Sequence, residues 1–112
     1  MKKYEVVKEN RNFQKIIEQG IYKKNQYLII YYLENTLNHD RFGISVGKKI
    51  GNAVTRNKWK RRLRSIIDNN KKLYQNHRDY IIILRKNCHN LKFNELEDSF
   101  LHLFEKVNKE SR

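Results

Sequence analysis

With 112 residues the chain has the length of one ordinary domain, and 25 Lys and Arg against 12 Asp and Glu leave a formal charge of +13. A hydrophobic content of 38% with seven Tyr, five Phe and one Trp supplies a core and argues against a disordered polycation. The single cysteine, Cys88, excludes an intrachain disulfide and a multi-thiolate zinc site. So basic a domain points to nucleic acid, or less often to an anionic membrane surface. The first residues lack the apolar run of a signal peptide, and the longest apolar stretch, 27–33, is far too short for a membrane-spanning helix. A cytoplasmic protein is expected.

In chain order, Asn10 can cap a short helix in which Phe13, Ile16 and Ile17 fall on one face, with Gly20 as its stop. Residues 26–33 are rich in β-branched and aromatic residues and apolar on both faces, which predicts an interior strand, and 35–40 read as a polar turn. Residues 41–47 alternate. Phe42, Ile44 and Val46 form a core face, while Gly43, Ser45 and Gly47 leave a low floor that another backbone could approach.

Residues 48–52 form a loop leading into a helix over 53–69, which Asn69 and Asn70 can end. Residues 80–85 read as a strand buried on both faces. Phe93, Leu96, Phe100, Leu103, Phe104 and Val107 mark a last amphipathic helix whose aromatic stripe is core. The order predicts an α+β fold of one mixed sheet with helices packed on it, the strand–helix–strand unit over 41–86 bringing two strands together in parallel.

The stretch 48–64 holds the chemistry. Lys48, Lys49, Arg56, Lys58, Lys60, Arg61, Arg62 and Arg64 crowd it, and no acidic residue occurs from Arg41 to Ile67. Projected at about 100° per residue, Trp59, Leu63, Ile66 and Ile67 share the face that must pack on the sheet. Asn57, Lys60, Arg61 and Arg64 form a second sector, with Arg56 at the far edge of the apolar stripe, and Lys58 and Arg62 point elsewhere. Guanidinium and ammonium groups in one sector suit phosphate oxygens, and the Asn57 amide suits a sugar hydroxyl or base edge. Lys48 and Lys49 precede the helix N-terminus, itself an anion-attracting end, but the glycine spacing is not that of a Walker loop. A merely solvated basic face is the bland alternative, and the missing carboxylates weigh against it.

From Gly43 to Arg61 the residues resemble the signature of the bacterial ribonuclease P protein subunit, with Arg56-Asn57 followed by Lys60-Arg61 and Arg64 as its core. The resemblance extends over nearly the whole chain, through Phe13-Gln14-Lys15, Tyr31, Asp79 to Ile83, and Leu101 to Phe104. It implies an α/β sandwich of about four strands, mainly antiparallel, and three helices. It also implies a left-handed crossover where general packing favours the right-handed form. It further implies a protein that binds a catalytic RNA and the single-stranded 5′ leader of precursor tRNA. The chemistry would then belong to the RNA and its Mg2+, with no catalytic or metal-ligating residue in this chain.

By position, Arg56, Asn57, Lys60, Arg61 and Arg64 match the family's RNA-contacting helix. Phe13 and Tyr31 match a central leader cleft. Ile17 falls at a further cleft position where many relatives have another aromatic, so it is expected to shape the cleft while a stacking role is not implied for it. Tyr27 is a further candidate, since a single strand is held by a charged groove with aromatic faces.

Three other functions fit the residues less well. A duplex-DNA reader of the helix–turn–helix kind needs a helix just before its recognition helix, and here a strand and loop precede it. A self-sufficient metal nuclease needs converging carboxylates, yet Asp40, Asp68, Asp79 and Asp98 are scattered and His39, His77, His89 and His102 lack ligand spacing. A general or ribosomal RNA-binding protein is excluded only by the extended motif. No obligate protein partner is expected.

Overall fold

The computed structural model describes all residues except 3, 4, 8, 9, 75, 76, 111 and 112, and at 110 only the backbone. In chain order it consists of α1 (Asn10–Gln19), β1 (Ile21–Lys24), β2 (Leu28–Glu34), β3 (Arg41–Val46), α2 (Ala53–Asn69), β4 (Arg78–Leu84) and α3 (Phe93–Glu110). The four strands form one sheet in the order β1-β2-β4-β3. β1 pairs with β2 and β2 with β4 antiparallel, whereas β3 and β4 run parallel, as a strand–helix–strand unit requires.

Three layers result. On one face α2 and α3 bury the main core, where Trp59, Leu63, Ile66 and Ile67 meet Leu28, Ile30, Tyr80, Ile82 and the α3 stripe. On the other face α1 lies alone, and a smaller cluster of Val7, Ile16 and Ile81 gathers Phe13, Tyr31, Leu33 and Ile83 around it. One short helix cannot cover four strands, so part of that face stays open. β1 and β3 are the edges; the N-terminal segment meets β3 through a parallel bridge of Val6 to Phe42 and a Val7 N–H bond to the Phe42 carbonyl.

The local chemistry explains most element ends. The Asn52 side chain accepts from the Thr55 N–H at 3.0 Å and caps α2. At the other end Asn70 donates its amide to the Ile66 carbonyl. Gly20 closes α1 with a bond from its N–H to the Ile16 carbonyl. Asn10 is the first helical residue of α1 and not its cap.

Three sequence expectations are revised. The strand expected from residue 26 begins at Leu28, because the Asn25 carboxamide oxygen accepts from the N–H groups of Tyr27 and Leu28 and makes a tight turn there. Phe93 lies at the first position of α3 and is 37% exposed, and Leu91 fills that edge of the core instead. The Gly43 floor is not open, since the ring of Phe13 occupies it. Cys88 is fully buried, and burial pushes its thiol pKa up, away from the reactive thiolate.

Carboxylates that might have served a nuclease have structural partners. Asp40 accepts the Arg78 N–H at 2.8 Å. Asp79 holds Arg41 through two bonds of 2.8 and 2.6 Å and accepts from the Asn35 amide at 2.9 Å. Such a two-pronged pair between register partners ties the edge strand β3 to β4.

Candidate nucleic-acid interface

α2 turns its apolar side to the sheet and leaves Asn57, Arg61 and Arg64 exposed, with Lys60 half-buried beside them. The sector read from helical periodicity is therefore a real face. Arg56 lies at its margin, half-buried, and its Nε is enclosed with no hydrogen-bond partner among the described residues. Lys48 and Lys49 are exposed on a short 3-10 turn, Lys48–Ile50, immediately after β3. Gly51, which follows that turn, has φ +156°, a conformation that L side chains rarely adopt.

Arg62 does something else. Its guanidinium lies over the Trp59 ring, 4.9 Å from the centroid, and so covers the core's aromatic edge. Arg62→Ala is expected to cost about 0.5–1 kcal/mol of stability, the value of an exposed cation–π contact. RNA affinity should fall less than for Arg61→Ala or Arg64→Ala. Chemical denaturation and binding titrations on the three variants check this, and equal affinity losses would refute the division of the helix into faces.

On the sheet's other face, Phe13 and Tyr31 belong to one cluster, with Ile81 of β4 between Tyr31 of β2 and the Gly43 of β3 that the Phe13 ring covers. Ile17 follows one turn after Phe13 on α1 and is 39% exposed. Tyr27 is not with them. It packs toward the main core and lines a shallow pocket with Ser99, His102, Leu103 and Lys106 of α3, on the opposite side of the sheet. The Asn25 turn is the cause, since its amide also bonds the Ser99 carbonyl and hydroxyl at 3.0 Å and draws this corner onto α3.

Phe13 is positioned by the absence of a side chain at Gly43. A Cβ there would come within 2.6 and 2.7 Å of the ring's Cε2 and Cζ, and within 2.8 Å of Ile81 Cδ1. Gly43→Ala is expected to displace the ring and destabilise the fold by about 1–3 kcal/mol, as overpacking does. Urea denaturation measures the loss, and an unchanged midpoint would show that the ring moves freely.

The two regions meet at the β3 edge. A groove of about 390 Å³ is lined by Phe13 from α1, by Gly43 and Ile44 from β3, and by Lys60 and Arg64 from α2, with Val6 and Val7 along one side. Cationic tips and an aromatic edge thus share one open channel. Among the described residues nothing acidic lines it. Among the described residues no group of three or more His, Cys, Asp or Glu could hold a metal ion, and no helix is long and apolar enough to cross a membrane.

A basic helix beside an aromatic cleft is the arrangement that the sequence resemblance implies, and comparison with known proteins decides the family. The model of the ribonuclease P protein family matches residues 1–108. The chain belongs to that family. A ribonuclease P protein component from Streptococcus pneumoniae is 44% identical over 103 residues, covering 92% of this chain and 84% of the relative. The solved ribonuclease P protein of Staphylococcus aureus matches with a TM-score of 0.86 at 33% identity, over 92% of this chain and 94% of that one. That of Thermotoga maritima gives 0.84 at 29% identity, over 91% and 96%. As a ribonuclease P protein component, the chain is part of an endoribonuclease holoenzyme with an RNA partner and takes part in tRNA 5′ processing.

Proposed function

We propose that the exposed sector of α2, with Lys48 and Lys49, binds the catalytic RNA, and that the groove and the sheet face beyond it hold the single-stranded 5′ leader of precursor tRNA. The groove shared by Phe13, Lys60 and Arg64 carries this reading, because it offers a phosphate-binding wall and an aromatic surface to one strand. Lys60 and Arg64 neutralise phosphates; Phe13 and Tyr31 supply apolar faces that any base can meet, so leaders of differing sequence are accepted.

In this reading the chain binds and orients, and the RNA carries out hydrolysis with its Mg2+. A sector free of carboxylates from Arg41 to Ile67 is suited to anions and not to a dication. The protein works in the cytoplasm, where precursor tRNA is made. The test is to add the protein to the catalytic RNA at low magnesium and measure affinity for precursor tRNA with and without a leader. Tighter binding of the leader-bearing substrate is expected, and equal affinities would sink the leader reading. Cleavage by the protein with no RNA subunit would overturn the assignment of the chemistry.

A further inference from the structure

Tyr22 of β1 is 51% exposed, although it stands on the sheet face that carries the cleft. It is the register partner of Tyr31, and their rings lie 5.3 Å apart at 39°. Cross-strand partners share a face, so Tyr22, Tyr31, Ile81 and Gly43 form one row across the sheet, with the Phe13 ring over its far end. Three inter-strand steps separate the row's ends, about 14 Å. Tyr31 is wedged between neighbours and half-buried, whereas Tyr22 has a neighbour on one side and water on the other.

Two residues along, Lys24 projects to the same face and is exposed. Its row continues through Ile29, Ile83 and Ser45, all half-buried. The open part of the face is therefore a shallow apolar floor bordered by an exposed aromatic and an ammonium.

We propose that Tyr22 is a base-stacking residue that extends the cleft to the β1 edge, holding a nucleotide of the single strand distinct from the one at Phe13, with Lys24 as its phosphate contact. This rests on the leader-cleft reading above. An apolar peptide would gain little from a single tilted ring beside a lysine. An unpaired nucleotide uses both, through a π face for the base and a cation for the phosphate. The half-buried Tyr31 backs the Tyr22 ring and fixes its tilt, so little side-chain freedom is lost on binding.

The experiment uses the holoenzyme reconstituted from the protein and its catalytic RNA, with precursor tRNAs whose leaders lengthen one nucleotide at a time. Affinity is measured for wild type, Tyr22→Ala, Tyr22→Leu, Tyr22→Phe and Phe13→Ala. Tyr22→Ala and Tyr22→Leu are expected to lose roughly 5- to 160-fold, the range of one base–aromatic stack. The loss should begin at a leader length a few nucleotides away from that at which the Phe13→Ala loss begins. Tyr22→Phe should retain most of the affinity, and leaderless tRNA should bind all variants alike. Tyr22→Leu keeps an apolar cover on Tyr31, so its loss reports stacking and not a disturbed sheet.

No loss for Tyr22→Leu at any length, or a loss with the same onset as Phe13→Ala, would overturn the proposal. So would a Tyr22 effect confined to self-association in sedimentation, which would make the patch a protein contact. If Phe13→Ala and Tyr31→Ala also leave leader affinity untouched, the cleft reading itself has failed; if they lose affinity and Tyr22→Leu does not, only this extension has.

Discussion

Replacing Trp59 with alanine is expected to destabilise the protein by about 3–5 kcal/mol. The ring is 4% exposed and belongs to the main core together with Leu63, Ile66 and Ile67. Removing it opens a cavity beneath a helix whose outer faces are crowded with like charges, and leaves Leu63, Ile66 and Ile67 to hold it on the sheet. Arg62 loses its stacking partner at the same time and becomes one more uncompensated cation. Against a typical stability of about 5–15 kcal/mol, the loss corresponds to a fall in Tm of roughly 10–25 °C. Circular dichroism melts check it directly. Trp59→Phe, which keeps most of the apolar volume, should lose much less. A Trp59→Ala melt within a few degrees of wild type would mean that α2 is held by something other than its apolar face.

The legibility of α2 has the same origin as this prediction. A helix buried on one side must repeat its apolar residues every three or four positions, and Asn52 and Asn70 have side chains that satisfy its loose ends. The range 53–69, the buried face and the basic sector could all be read from the residues. The parallel pairing of β3 with β4 follows from the strand–helix–strand order over 41–86. What escaped depends on contacts between distant parts of the chain. β1 has four residues, mostly exposed, and carries no burial pattern to recognise. Tyr27 looked like part of a strand because it adjoins an apolar run, yet a single carboxamide, Asn25, turns it to the α3 side.

The candidate site was legible by parts and not as a whole. Alternation showed that Gly43 would leave a gap in the sheet face, but only the fold shows that Phe13, thirty positions earlier, fills it. The basic sector and the aromatic cleft came from separate signals, one of charge and one of resemblance. Their meeting along the β3 edge is a property of the layers, since α1 and α2 lie on opposite faces and only the edge is common to both. Tyr22 went unread for the reason that β1 did.

Converting Lys60, Arg61 and Arg64 together to alanine should lower the affinity of the protein for its catalytic RNA and, more tellingly, flatten its salt dependence. Each phosphate contact contributes about 0.7–0.9 to the slope of log affinity against log salt. Three lost contacts therefore remove about two to three units of slope, and between 50 and 200 mM salt the variant should lose about 20- to 40-fold less affinity than wild type. Fold and core should be unaffected, because Arg61 and Arg64 are exposed and Lys60 is outside the core cluster. Removing three adjacent cations also relieves mutual repulsion on the helix, so Tm should hold or rise slightly. Titrations at four or five salt concentrations, alongside a thermal melt, make the measurement. A parallel downward shift with no change of slope would mean that these side chains shape the surface without touching phosphates. A changed slope at constant Tm would place the polyanion on this face of α2, where no carboxylate competes for it.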